Sequence, residues 1–174
     1  MKYWIFLFLI SAQALASEVA FLEVNGRDGK PIQLEPGGRF MHVAIRYKSQ
    51  WLHAHAQGGV ELVDSLKGFG DKILYLENPN IPDPAYEDFE YWLGRRFDYT
   101  YTWGNPIATY CTRLLAELLN IEPAGMNFDS GHWGLHAYRE EAIGKVGLSP
   151  DDLYKILIDL GYNPECERRL VKML

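Results

Sequence analysis

The sequence predicts an α+β domain in which a small antiparallel sheet packs with helices. Short apolar runs separated by turn residues fill the first half of the chain, and two helical apolar patterns follow in the second half. The composition agrees, because 48% of the 174 residues are hydrophobic and 23% are charged. These proportions are typical of a globular protein and exclude a wholly disordered chain.

The first 16 residues have the pattern of a secretory signal peptide. Lys2 supplies a positive start, an apolar run covers residues 4–10, and Ala14-Leu15-Ala16 is a small-residue cleavage site. The run is far shorter than the ~20 residues that span a bilayer. We expect cleavage after Ala16, a single domain over residues 17–174, and an exported protein, periplasmic or secreted, without stable membrane insertion. An uncleaved anchor or a buried N-terminal strand is the alternative.

Four strand candidates lie between residues 40 and 76, after a stretch from residue 17 to 35 whose short runs are broken by turn residues. Residues 40–47 and 51–56 are separated by only three residues, which predicts a β-hairpin. Gly58-Gly59 then turns the chain, and the other two candidates are residues 60–63 and 72–76.

Three helix candidates follow, over residues 85–93, 109–120 and 150–160. The second has the clearest apolar face, formed by Cys111, Leu114, Leu115, Leu118 and Leu119. We expect Thr109 to cap this helix and Ser149 to cap the last one, where Pro150 is the first helical residue and Gly161 the stop.

Cys111 is the candidate nucleophile, because the predicted helix places it in the first turn. Unpaired backbone N–H groups and the helix dipole favour an anion there, so we expect the thiol to ionise readily. In an oxidising compartment a disulfide between Cys111 and Cys166 is the alternative.

Three of the five histidines lie on the predicted hairpin and are candidates for the base that a cysteine nucleophile needs. Because alternate residues of a strand share a face, His42 lies on one face of the first strand, and His53 and His55 share one face of the second. One histidine could abstract the thiol proton while another orients it. A purely structural role is the alternative for each histidine.

At these positions the sequence resembles the NlpC-type papain-like hydrolases. The matching strand segments are His42-Val43-Ala44-Ile45, Trp51-Leu52-His53-Ala54 and Gly59-Val60. Here the cysteine segment, residues 110–115, follows the histidines instead of preceding them, which resembles the circularly permuted branch with its YiiX-like and lecithin retinol acyltransferase-like members. Phe97-Asp98 and Ser149–Leu153 are similar to two further segments of that branch, so the resemblance extends from about Gly37 to Leu153.

The resemblance implies a permuted papain-like fold with Cys111 as nucleophile, His42 as general base and His53 or His55 as the orienting residue. The spacing of His53 to Val60 and the apolar pair before it favour His53. Two departures are visible: Thr112-Arg113 replaces the Ser-Glu of the family after the cysteine, and Gly37-Gly38 stands where the family has Gly-Asp.

The implied function is an exported cysteine hydrolase, a peptidase or amidase, that cleaves an amide bond through a thioester at Cys111 without a cofactor. Cell-wall peptides of peptidoglycan are the expected substrate. A lipid or acyl-ester hydrolase or acyltransferase on the same fold is one alternative, and a non-catalytic module that binds a peptide or lipid is another.

Candidate substrate contacts are Tyr110 and Trp103, the latter at the end of an alternating aromatic series that also holds Phe97, Tyr99 and Tyr101. Core packing is the alternative for all of them. We expect no metal: His132 and His136 have the spacing of zinc ligands, but nearby glycines disfavour a helix there.

The charge balance bears on possible partners. The net charge is −6 and the sequence lacks a basic run, which disfavours nucleic acid as a partner. The oligomeric state stays open.

Overall fold

The computed structural model describes residues 16–126 and 143–164. Residues 1–15 of the predicted signal peptide, the His132–His136 pair and Cys166 lie outside these ranges. Six strands form the main antiparallel sheet: β1 (Ala16–Glu23), β2 (His42–Tyr47), β3 (Gln50–His55), β4 (Gly59–Val63), β5 (Lys72–Pro82) and β10 (Asn163–Pro164). Their spatial order is β10-β5-β1-β2-β3-β4.

The described helices are α1 (Tyr86–Trp92), α2 (Cys111–Leu118) and α3 (Pro150–Asp159). Two short ribbons complete the structure, with β6 (Arg96–Phe97) parallel to β7 (Ala108–Thr109), and β8 (Ala124–Gly125) antiparallel to β9 (Val146–Gly147). The predicted α+β class is confirmed. Within residues 16–126 and 143–164, none of the helices has the length and apolar character needed to cross a bilayer.

The predicted hairpin forms between β2 and β3, with Ile45 opposite Leu52, and it continues into β4, where His53 faces Glu61 across the ladder. Hydrophobic residues lie on both faces of this sheet. Val43, Ile45, Leu52 and Ala54 face the main core, while Ala44 and Trp51 belong to a smaller cluster. The alternating pattern of strands therefore divides the hairpin between two apolar layers.

The central strand β1 was not predicted from the sequence. It pairs with β2 on one side and β5 on the other, and residues 19–22 are fully buried. A strand covered on both faces is apolar without alternation, so the two-residue period that identifies a half-exposed strand is missing. The predicted strand at residues 72–76 also proves longer, since β5 runs to Pro82.

Helix α2 packs its apolar side on the main core through Leu114, Leu115 and Leu118, as the spacing predicted. The predicted cap of α3 is confirmed, because Ser149 Oγ accepts the backbone N–H of Asp152 at 2.9 Å. The predicted Thr109 cap of α2 is wrong. Thr109 pairs with Phe97 in the β6–β7 ribbon, and Tyr110 becomes the N-cap without a side-chain bond to the helix.

Arg113 joins α2 to the segment that precedes it. Its buried guanidinium donates to the backbone carbonyls of Asn105 and Ala108 at 2.8 and 3.0 Å, and Nε pairs with Glu117 at 2.7 Å. The guanidinium also lies 5.4 Å from the ring centre of Trp92. These contacts hold the approach to Cys111 in one conformation.

Replacing Arg113 by Met is expected to lower the free energy of unfolding by about 3 kcal/mol, because buried carbonyls and Glu117 lose their partner. Urea unfolding measures this change. The matched control is Arg27→Met, at an exposed position, which should leave the free energy of unfolding unchanged. Equal stability of the two variants would show that the Arg113 contacts contribute nothing.

Candidate active site

Cys111 is the first residue of α2, and its thiol points at the beginning of β2. The backbone N–H groups of Val43, Thr112 and Cys111 itself donate to the sulfur. Val43 directly follows His42, so the start of α2 and the start of β2 meet at the thiol. The structure therefore brings the late cysteine and the early histidine of the sequence to one place.

The protonation state of the thiol differs from the expectation. Burial raises the pKa of Cys111 from an ordinary value of 9.0 to about 11, although the three N–H donors act to lower it. The expectation that the helix start makes this thiol ionise readily is therefore wrong for the free protein. Loss of solvent outweighs the helix terminus, and Cys111 is a neutral thiol at neutral pH.

His42 and His53 form a hydrogen-bonded pair, with His42 Nε2 and His53 Nδ1 separated by 2.8 Å. Both side chains are buried. Burial, and then His53 and His55, lower the pKa of His42 well below its ordinary value, while burial, and then His55, lower the pKa of His53 to about 4. At neutral pH both imidazoles are uncharged, so one ring donates the shared hydrogen and the other accepts it.

His55 has a different position from His53. Its ring centre lies 6.0 Å from that of His42 and 5.9 Å from that of His53, against which it stacks. His55 is half-buried and also meets the edge of Phe69. Of the two candidates for the orienting position, His53 is therefore the one that hydrogen-bonds to His42 in the described structure.

A cavity of about 390 Å³ opens beside the thiol, and Cys111, His42 and His55 all line it. The rest of its wall is dominated by apolar and aromatic side chains, including Val24, Leu34, Met41, Phe69, Phe97 and Tyr99. Among the described residues, no Asp, Glu, Lys or Arg lines the cavity. The thiol thus faces a space that favours an uncharged group.

The two predicted substrate contacts have different locations. Tyr110 lines the cavity, and its buried hydroxyl has no hydrogen-bond partner within the described part of the chain. Trp103 does not line this cavity and packs on the main core instead. Three members of the aromatic series, Phe97, Tyr99 and Tyr101, do line it.

Sequence reasoning missed several cavity residues. Leu34 lies in the stretch before the strand candidates, Met41 lies in the predicted strand 40–47 just before β2 begins, and Phe69 lies in a turn after β4. Apolar residues next to turns were the available signal, but that signal does not identify which segments meet in the folded protein.

Two buried carboxylates hold the segments around the cavity. Asp98 accepts hydrogen bonds from Thr100, Thr102 and Asn105, which outweigh burial and lower its pKa, and they shape the loop that carries the aromatic wall. Asp151, in the first turn of α3, accepts the backbone N–H groups of Arg39 and Phe40 at 2.8 and 3.2 Å. It thereby fixes the approach to His42.

The two residues that replace the Ser-Glu pair after the cysteine both have structural partners. Thr112 Oγ1 donates to the backbone carbonyl of Leu148 at 2.7 Å, and Arg113 holds the segment before α2 as described above. Neither departure removes a group from the thiol or from the histidine pair.

Comparison with known proteins finds a structural relative and no sequence family. No family model and no curated protein matches the chain. The chain is similar to the crystal structure of metalloprotein yiiX from Escherichia coli O157:H7, DUF1105, with a TM-score of 0.55 and 18% identity. The match covers 82% of this chain and 92% of that one. At this identity the likeness shows the fold alone, so the chain has a YiiX-like fold.

The raised pKa of Cys111 predicts how the thiol responds to pH. Iodoacetamide reacts with the thiolate only, so in a Cys166→Ser background the alkylation rate should keep rising as the pH approaches about 11. Mass spectrometry of the labelled protein measures the rate, and circular dichroism checks that the fold persists. The Cys111→Ser, Cys166→Ser double variant is the blank. A plateau below pH 9 would contradict the prediction, because it would mean that the free protein already holds a thiolate.

Proposed function

We propose that this protein is a cysteine-dependent hydrolase of amide or ester bonds, with Cys111 as nucleophile and His42 as general base. The observation that carries the proposal is the cavity wall itself, where Cys111 at the start of α2 and His42, hydrogen-bonded to His53, lie together. A thiol, a base and a group that orients the base are the parts that nucleophilic cysteine catalysis needs. The proposal keeps the exported location that residues 1–16 predict.

We further assign the chain to the permuted branch of the papain-like hydrolases. The histidines lie on β2 and β3, and the cysteine follows later in the chain at α2. The YiiX-like fold supports this assignment, since the resemblance in the sequence concerned the same branch. It also agrees with the position of the cysteine at a helix start against the sheet.

In the proposed first step, the S–H proton of Cys111 moves to Nδ1 of His42, because Nε2 of that ring is already engaged with His53. The sulfur attacks the substrate carbonyl, and the carbon–oxygen π electrons move onto oxygen. Since both groups are neutral before substrate binds, the proton transfer accompanies the attack instead of preceding it.

The negatively charged oxygen of the tetrahedral intermediate needs donors that are in place beforehand. The backbone N–H of Cys111, at the helix start, has no carbonyl partner within the helix and contacts its own sulfur, and the Tyr110 hydroxyl is buried without a hydrogen-bond partner among the described residues. We assign both groups to this role.

Collapse of the intermediate breaks the bond to the leaving amine or alcohol, which takes the proton from His42 and leaves a thioester on Cys111. A water molecule then gives its proton to His42 and attacks the thioester. Breaking of the carbon–sulfur bond releases the carboxylic acid and restores the thiol. Every proton passes through His42, whose ring His53 holds in place.

A metal is not part of the proposed mechanism. The yiiX relative is described as a metalloprotein, but the described residues of this chain contain no group of three or more His, Cys, Asp or Glu side chains that could hold an ion. His42 and His53 each direct one ring nitrogen at the other, which leaves an unsuitable donor set for a shared ion.

The character of the cavity favours an apolar acyl group as a second candidate substrate besides a cell-wall peptide. Peptides from the cell wall carry carboxylates, and no Lys or Arg of the described residues lines the cavity. An ester or amide of an aliphatic acid fits the apolar wall better, since each methylene buried in the cavity contributes about 0.8 kcal/mol of favourable binding free energy.

Replacing Cys111 by Ala should abolish hydrolysis of p-nitrophenyl esters and of purified peptidoglycan, whichever the wild type cleaves, because no other group forms the thioester. The loss should be about a thousand-fold or more. The Cys166→Ser variant is the matched control and should keep full activity. Hydrolysis by Cys111→Ala at the wild-type rate would overturn the assignment, and an inert wild type would favour the binding module.

The apolar wall predicts a preference among acyl groups. From p-nitrophenyl acetate to the octanoate, kcat/KM should rise up to about fourfold per methylene until the cavity is filled. Changing Val24 to Lys places a charge in the wall and should reduce the octanoate rate more than the acetate rate. Val146→Lys, at an exposed position, is the control. No gain with chain length would favour the peptide substrate.

A further inference from the structure

The hydrogen bond between His42 and His53 leaves one ring nitrogen of His53 unaccounted for. His53 Nδ1 faces His42 Nε2 at 2.8 Å, whereas His53 Nε2 is buried and has no hydrogen-bond partner within the described part of the chain. Glu61 Oε1 lies 3.6 Å from this nitrogen. That separation is longer than a hydrogen bond but short enough for the carboxylate to interact electrostatically with an N–H at this nitrogen.

Two arrangements of the shared hydrogen are possible for two neutral imidazoles. In the first, His42 Nε2 carries the hydrogen and donates it to His53 Nδ1, so His42 Nδ1 keeps a lone pair and His53 Nε2 carries a hydrogen. In the second, His53 donates and the hydrogen of His42 lies on Nδ1. Only the first arrangement leaves His42 able to accept the Cys111 proton.

The fold holds the Glu61 carboxylate beside His53. Glu61 is opposite His53 in the β3–β4 ladder, so the two side chains project from the same face. At Gly58 a Cβ atom would overlap the Glu61 carboxylate, so the absence of a side chain there provides the space that it occupies. The Glu61 side chain is 41% exposed, whereas the His53 side chain is fully buried.

We propose that Glu61 is a positioning residue that places a hydrogen on His53 Nε2 and thereby keeps the lone pair of His42 Nδ1 available for the Cys111 proton. A carboxylate is an acceptor only, so it favours the ring form that turns an N–H toward it. Glu61 thus sets the ring form of His53, His53 sets that of His42, and His42 accepts the thiol proton. The catalytic part of this inference rests on the proposed function, while the choice of ring form does not.

The same carboxylate assists once the proton has moved. When His42 becomes an imidazolium, its hydrogen bond to His53 Nδ1 spreads the positive charge over both rings. The other nitrogen of His53, Nε2, lies 3.6 Å from the Glu61 carboxylate. The nearby carboxylate compensates part of the free-energy cost of burying the imidazolium charge, as the Asp of a Ser-His-Asp triad does for its histidine. Glu61 does not line the cavity that Cys111 and His42 line, so we assign its effect to its position beside His53.

Nitrogen NMR of the histidine rings at neutral pH tests the inference directly, because protonated and unprotonated ring nitrogens have well-separated chemical shifts. In the wild type we expect a hydrogen on Nε2 of both His42 and His53. In Glu61→Gln the amide can accept or donate, so both arrangements should be populated and the Nδ1 shift of His42 should move toward the protonated value. Glu90→Gln, on the exposed face of α1, is the matched control and should leave all ring shifts unchanged.

A second variant tests the same point without altering Glu61. Gly58 has an ordinary backbone conformation, since its φ is not positive, so Ala is accommodated by the backbone but displaces the Glu61 carboxylate. Gly58→Ala should shift the ring signals in the same direction as Glu61→Gln. Unchanged ring shifts in both variants, with both still folded by circular dichroism, would overturn the inference.

The kinetic consequence separates this inference from the proposed function. With the best p-nitrophenyl ester, Glu61→Gln should lower kcat about tenfold with KM unchanged, because binding in the cavity is unaffected. If the two variants shift the ring form but the wild type has no Cys111-dependent activity, the proposed function alone is refuted. Cys111-dependent activity with unchanged kcat in Glu61→Gln would refute the role of Glu61 alone.

Discussion

The docking of the α2 N-terminus on the beginning of β2 is the constraint on which the rest of the site depends. The Val43 N–H points at the Cys111 sulfur, and His42 is its neighbour in the chain. Burial of Leu114 and Leu115 sets the depth of the helix, while Asp151 and Arg113 hold the segments on either side. The thiol, the histidine pair and the cavity thus share one packed framework, so a shift of α2 would move the proposed nucleophile from its proposed base.

Burial makes this an uncharged site in the free protein. It raises the pKa of the thiol and lowers the pKa of both histidines, so each group is kept in its neutral form. The helix start opposes this effect at the sulfur without reversing it. The apolar cavity wall is likewise free of Asp, Glu, Lys and Arg among the described residues. In the proposed mechanism charge develops only during the reaction, where we assign Tyr110 and Glu61 to stabilise it.

The parts of the fold that were predictable have strong local signals. The hairpin at β2–β3, the apolar face of α2 and the Ser149 cap of α3 follow from turn residues, helical spacing and a capping side chain. Strand β1 was not predicted because a strand buried on both faces has no alternation of apolar and polar residues. The predicted Thr109 cap was wrong because the Thr109 backbone pairs with Phe97 in the β6–β7 ribbon. Glu61 and Phe69 were not predicted as site residues because what distinguishes them is their contact with His53, which the sequence does not show.

By itself the sequence determined which residue types were available for chemistry: a cysteine at a helix start, three histidines on one hairpin, and a series of aromatic side chains. These are local properties, and local spacing encodes them. Only the tertiary structure decided that His53 and not His55 bonds to His42, that Trp103 lies outside the cavity, and that Cys111 is protonated. Ring separations and loss of solvent depend on segments far apart in the chain, which meet only when the core has packed.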